Sequence, residues 1–111
     1  MKIFQWLSGR FSLPDDAMSL YKRGMERARK HDHQGAIDDY TASIGMPNTP
    51  ADVKAMVLFN RGLARVAAGD HPKGIEDLNV VLRMDEAPAD VKTMARQKLA
   101  RMQTRSPKGR S

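Results

Sequence analysis

Pro50-Ala51-Asp52-Val53-Lys54 recurs as Pro88-Ala89-Asp90-Val91-Lys92, 38 residues further on. The same offset carries Arg23-Gly24 to Arg61-Gly62, Arg27 to Arg65, His33 to His71 and Asp39 to Asp77. It also carries Ile37 to Ile75, Ile44 to Leu82 and Met56 to Met94, and a further step takes Gly62 to Ala100. One offset that links so many positions is an internal repeat. A period of roughly 20–50 residues points to small stacked units, none of which buries its apolar face alone.

Each unit reads as two helices. The first spans about Asp15 to Lys30, with Met18, Tyr21, Met25 and Ala28 at helical spacing. A turn at His31-Asp32-His33-Gln34 leads into a second helix, about His33 to Gly45, carrying Ala36, Ile37, Tyr40 and Ile44. Gly45-Met46-Pro47-Asn48-Thr49-Pro50 is a loop. Thr49 is expected to cap the third helix, with Pro50 at its first position and Asp52 near its positive end. That helix runs to about Ala68, the fourth from about Pro72 to Met84 and the fifth from about Pro88 to Gln103. Nothing alternates as a half-buried strand does. The expected organisation is a repeat domain over 14–103, with units at about 15–48 and 50–86 and a capping helix at about 88–103. A short amphipathic segment, 1–13, precedes it, and a basic tail, 104–111, expected to be disordered, follows.

The pattern resembles the tetratricopeptide repeat family. Leu20-Tyr21-Lys22-Arg23-Gly24 and Gly35-Ala36-Ile37-Asp38-Asp39-Tyr40-Thr41-Ala42-Ser43-Ile44 carry the resemblance in the first unit. Leu58-Phe59-Asn60-Arg61-Gly62-Leu63-Ala64-Arg65, Gly69-Asp70 and Ile75-Glu76-Asp77-Leu78-Asn79-Val80-Val81-Leu82 carry it in the second. The resemblance implies an all-α fold: a short right-handed superhelical solenoid of antiparallel helix pairs, about five helices plus a short N-terminal one. The period of 38 exceeds the family's usual length of about 34. Arg27 and Arg65 replace an aromatic residue. Gly74 stands where the family usually has alanine, which predicts a weaker helix contact there. Gly24, Gly62 and Ala100 would let helices approach, and Tyr40 and Leu78 would fill the gap between units.

Composition agrees with one small domain: 111 residues, 41% apolar, 29% charged and no cysteine. At this size only about two thirds of the unfolded chain's surface is buried on folding, so a deep cleft is not expected. Without cysteine there are no disulfides or thiolate chemistry. The net charge of +6 is local. Residues 22–30 hold Lys22, Arg23, Arg27, Arg29 and Lys30 against Glu26, and Arg105, Lys108 and Arg110 lie in the tail. Tyr21 is the only aromatic in the basic helix, so nucleic-acid binding, which wants basic surface with stacking platforms, ranks low. At the N-terminus, Ile3, Phe4, Leu7 and Phe11 share a helical arc with Trp6 beside it. The apolar run is too short for a signal peptide or a membrane span. It reads as a helix docking on the domain, or as a membrane-surface anchor.

Candidate chemistry is sparse. His31, His33 and His71 read as turn residues, since two of them share a repeat position, and no metal or cofactor is expected. Asp38-Asp39 and Glu76-Asp77 also repeat. Their expected role is structural, in ion pairs Arg23–Asp39 and Arg61–Asp77. No phosphate loop or nucleophile motif is present, so the expectation is a protein that is not an enzyme.

The family resemblance implies ligand recognition on the inner face of each unit's first helix. Carried onto this sequence, that face comprises Tyr21, Lys22, Met25 and Arg29, then Met56, Phe59, Asn60 and Leu63, then Lys98 and Arg101, with Met18, Ala67, Met94 and Gln97 beside them. Lys22, Asn60 and Lys98 would form a ladder along a groove suited to an extended peptide of acidic character. Of the Lys/Asn/Asn/Lys/Arg clamp by which some members hold the C-terminal carboxylate of cytosolic chaperones, only Asn60 stands in place. The expected function is therefore a cytoplasmic protein–protein interaction module or scaffold that binds a peptide segment of a partner. The alternative is a membrane-peripheral adaptor anchored through residues 1–11.

Overall fold

A computed structural model describes residues 16–104. Among these residues there are five α-helices and no strand: α1 (Ala17–Arg29), α2 (His33–Gly45), α3 (Ala51–Ala67), α4 (His71–Arg83) and α5 (Ala89–Thr104). The amphipathic reading of residues 1–13 and the tail reading from Arg105 onward lie outside the described residues. Thr104, assigned to the tail by sequence, is the last residue of α5.

The 38-residue period is visible in local geometry. Asp32 caps α2 by accepting from the Gly35 N–H at 3.0 Å, and Asp70 caps α4 by accepting from the Lys73 N–H at 3.1 Å. The two caps share a backbone shape, φ −88°, ψ 77° and φ −97°, ψ 76°. Each satisfies an amide that the first turn leaves without a helical partner. One residue earlier, His31 at φ 66° and Gly69 at φ 95° bring the chain out of α1 and α3 through the left-handed region. The sequence expectation for Thr49 is corrected. Pro50 occupies the N-cap of α3 with no side-chain cap, and the Thr49 hydroxyl donates backwards to the Met46 carbonyl at 2.9 Å. Pro50 has no side chain that can accept, and the Asp52 carboxylate accepts from the Val53 N–H at 2.8 Å in the first turn instead.

Each helix packs on the next, α1 on α2 through to α4 on α5. The first helices of successive units also touch, α1 with α3 and α3 with α5. The result is a helical-repeat-like, all-α stack of two helix hairpins and a terminal helix. One apolar cluster joins Tyr21, Ala36 and Tyr40 of the first hairpin to Val57 and Ala64 of α3. A second joins Ala55, Leu58, Leu78 and Val81 to Ala87, Val91 and Ala95. Tyr40 and Leu78, 38 residues apart, are among the largest fully buried side chains. At about 1.5–3 kcal/mol for each large apolar side chain taken from water, these two are principal supports of their hairpins.

Two small-residue expectations change. A Cβ on Gly74 would lie 2.8 Å from the Gly62 carbonyl oxygen and 2.5 Å from Val66 Cγ2. Gly74 therefore permits a closer crossing of α3 and α4 instead of weakening it. Ala100, the third member of the Gly24 and Gly62 series, is exposed, because no described helix lies beyond α5.

Candidate functional site

Because α1, α3 and α5 share one register, each of their positions can be compared across three copies. Leu20 and Gly24 of α1, and Leu58 and Gly62 of α3, are buried. Val57 and Ala64 of α3 are buried among residues of the first hairpin. Their counterparts in α1, Ser19 and Glu26, are exposed and polar. At the other end, Leu58 and Ala55 have Arg96 and Thr93 of α5 as counterparts, also exposed and polar. The sequence thus becomes polar where the stack has no further described neighbour, as terminal repeats require.

The methionine register does not follow that rule. Met18, Met56 and Met94 are 38 residues apart, and all three are methionine. Met56 is partly buried against both apolar clusters, whereas Met18 is 39% and Met94 42% exposed. Met25, two turns along α1 from Met18, is 40% exposed, and its counterpart Leu63 is half-buried.

The other predicted groove residues fall as follows. Phe59 is half-buried against the second cluster. Tyr21 lies in the core, its ring centroid 6.0 Å from that of Tyr40, and its hydroxyl accepts from Asn60 Nδ2 at 3.0 Å. Burial pushes the Tyr21 phenol above its ordinary value, and the bond from Asn60 opposes that rise. Asn60 Nδ2 also donates to the Met56 carbonyl at 2.9 Å. A carbonyl only accepts, so this bond fixes which way the amide faces and leaves Asn60 Oδ1 as the acceptor.

Lys22 is exposed and Lys98 half-buried. Arg29 is exposed and forms an ion pair with Glu26, which Lys30 joins at 3.6 Å. The Arg29 hydrogen bond holds the Glu26 carboxyl below the usual range. Arg101 is exposed at the far end of α5. The structure thus places Lys22, Met25 and Met18 on exposed α1 surface, Asn60, Phe59, Leu63 and Met56 half-covered on α3, and Lys98, Arg101 and Met94 on α5.

The repeated carboxylates are occupied. Asp39 Oδ1 and Oδ2 accept from Arg23 Nη2 at 2.8 Å and Nε at 2.9 Å. Asp77 accepts from Arg61 Nη2 and Nε, both at 2.9 Å. Each is a fork-to-fork pair. A second arginine joins each carboxylate, Arg27 on Asp39 at 3.3 Å and Arg65 on Asp77 at 3.0 Å. Sequence reasoning missed the second arginines. The signal was present: Arg27 and Arg65 follow Arg23 and Arg61 by one helical turn and repeat with the same period. Arg61 also donates to Thr41 Oγ1 of the preceding hairpin at 3.1 Å, tying the two units together.

His31 and His33 meet edge to face at 6.0 Å. Among the described residues no three His, Cys, Asp or Glu side chains form a group that could hold a metal ion, and no helix is long and apolar enough to cross a membrane. The described residues form a helical-repeat-like all-α stack in which methionine recurs at one register of α1, α3 and α5. A comparison with protein-family models, curated proteins and solved structures finds no match.

Proposed function

We propose that this chain is a tetratricopeptide-type solenoid that holds a peptide segment of a partner protein along the face formed by α1, α3 and α5. One observation carries the reading. Methionine recurs at 18 and 94, where it is exposed, whereas the adjacent registers turn polar at their open ends, at Ser19 in α1 and at Arg96 in α5. Packing alone would favour the same polar replacement in the methionine register. A flexible, polarisable side chain kept at the surface suits contact with another chain. Asn60 Oδ1 offers an acceptor for a peptide N–H midway along the face, with Lys22 and Lys98 at equivalent positions on either side. Lysine at both places favours an acidic ligand.

The test is selection from a displayed random-peptide library on the wild-type protein, with the Lys22→Glu/Lys98→Glu variant as the counter-target. Acidic peptides enriched on wild type and lost on the variant are the expected result. No enrichment, or equal enrichment on both proteins, refutes the reading.

A further inference from the structure

We propose that the chain's own N-terminal residues 3–11 lie on the methionine face as a resident segment that a partner must displace. This rests on the peptide-binding face argued above and identifies what competes for it. The described residues contain three exposed large hydrophobic side chains, Met18, Met25 and Met94, and all three lie on the first helix of a unit. The sequence outside the described residues contains one segment with matching chemistry. Residues 3–11 carry Ile3, Phe4, Trp6, Leu7 and Phe11, whereas 105–111 offer no large apolar residue.

Reach favours the same assignment. Phe11 precedes Met18 by seven residues. Two interhelical steps of about 8–10 Å separate α1 from α5. Nine residues span roughly 30 Å extended and roughly 14 Å as a helix, enough to run along much of that face.

The alternative place on the domain is the open side of α1, and it is polar. Ser19 and Glu26 stand there in place of Val57 and Ala64, so an apolar segment finds little to bury. Aromatic side chains against methionine sulfur make favourable contacts. The fit is apolar only. Lys2 precedes the segment and Arg10 lies within it, and Lys22 and Lys98 lie on the face, so like charges meet. An acidic peptide lacks that conflict and is the better occupant. The tether keeps the segment at a high effective concentration, which lowers a partner's apparent affinity by the closed-to-open ratio.

Trp6 is the only tryptophan in the chain, so its fluorescence reports this segment directly. Emission and acrylamide quenching are measured on the full chain across a concentration series, for wild type and for Met25→Glu/Met94→Glu. Both substituted residues are exposed, and circular dichroism checks that the helices persist. Met18→Ser/Met94→Ser serves as a second variant without added charge. The expected result is a blue-shifted, shielded Trp6 independent of concentration, with quenching raised several-fold in both variants.

Four results overturn the proposal. Trp6 is exposed in wild type, or its shielding survives both variants. Shielding appears only where the protein dimerises, which assigns the face to a second copy. Shielding appears only on adding phosphatidylcholine/phosphatidylserine vesicles, which assigns the segment to a membrane. An exposed Trp6 beside a successful peptide selection removes the resident segment alone. A failed selection beside a shielded, variant-sensitive Trp6 removes the peptide-binding function alone.

Discussion

Gly74→Ala tests how tightly α3 and α4 cross. In an open helix this substitution stabilises by about 1 kcal/mol, because alanine is the better helix former. Here the added Cβ would sit 2.5 Å from Val66 Cγ2, 2.8 Å from the Gly62 carbonyl oxygen and 3.2 Å from the Val66 nitrogen. Two of those atoms are backbone, and the third belongs to a β-branched side chain with little rotamer freedom in a helix. The helices must therefore separate, and overpacking of this kind costs about 1–3 kcal/mol. The cost exceeds the propensity gain, so the variant is expected to lose about 1–2 kcal/mol in urea unfolding followed by circular dichroism, with the slope unchanged. Gly45→Ala is the control. Nothing lies within 4 Å of its Cβ position, so it should be neutral or stabilise by up to about 1 kcal/mol. A Gly74→Ala protein as stable as Gly45→Ala would show that the crossing has slack and refute the close-approach argument.

The two arginine–aspartate clusters should respond unequally. Arg61 and Arg65 are 15% and 18% exposed, against 31% and 40% for Arg23 and Arg27. Water reaches the first-unit arginines more readily, so Asp77→Ala should cost about 3 kcal/mol and Asp39→Ala about 1–2 kcal/mol. Equal losses in denaturant titrations would contradict that ordering. Alkaline pH should weaken the fold through Tyr40, whose phenol is pushed up to about 12 by burial and by its neighbours Tyr21 and Asp39. A phenol raised in the folded state contributes stability that is complete below pH 10, its ordinary value, and is lost as pH rises towards 12. Thermal melts between pH 9 and 11 on wild type and Tyr40→Phe should show a steeper fall in the wild type, and parallel curves would exclude Tyr40 as the cause. Hydrogen exchange should be slowest in α3, which packs on all four other helices, and faster in α1 and α5, which touch two each. Equal protection in α1 and α3 would mean that the stack opens as one unit.

The all-α order of helix hairpins was legible because the sequence repeats its own constraints. Arg23 with Asp39 and Arg61 with Asp77 could be paired from the sequence alone, since each lies 16 residues from its partner and both recur at one offset. The start of α2 was read at His33, where it lies, but that of α4 was read at about Pro72 and lies at His71, because Asp70 caps it as Asp32 caps α2. Thr49 was misread because a hydroxyl before proline looks like a cap. The actual choice depended on a carbonyl at Met46 that only the folded loop brings within 2.9 Å. Gly74 was misread because family preference speaks of the side chain, whereas the distance to the Gly62 oxygen belongs to the crossing of two backbones. Tyr21 was assigned to the binding face by its position in the family resemblance. Its burial follows from Tyr40 and Asn60, which reach it from two other helices.

Ion pairing changes how the basic first helix reads. Residues 22–30 read as a basic helix that would attract any polyanion. In the folded chain Arg23 and Arg27 are held by Asp39, and Arg29 and Lys30 are paired with Glu26. Lys22 is the one cation of those five that enters no ion pair among the described residues, and it stands on the face that bears Met18 and Met25. Nonspecific attraction, which scales with the number of phosphates neutralised, loses most of its support from α1. What remains is a single lysine beside exposed methionines, repeated by Lys98 beside Met94 at the other end of the stack. On the proposed peptide-binding reading, Lys22 and Lys98 at the two ends of the methionine register suit a ligand with acidic groups at matching separation, a far narrower class than polyanions in general.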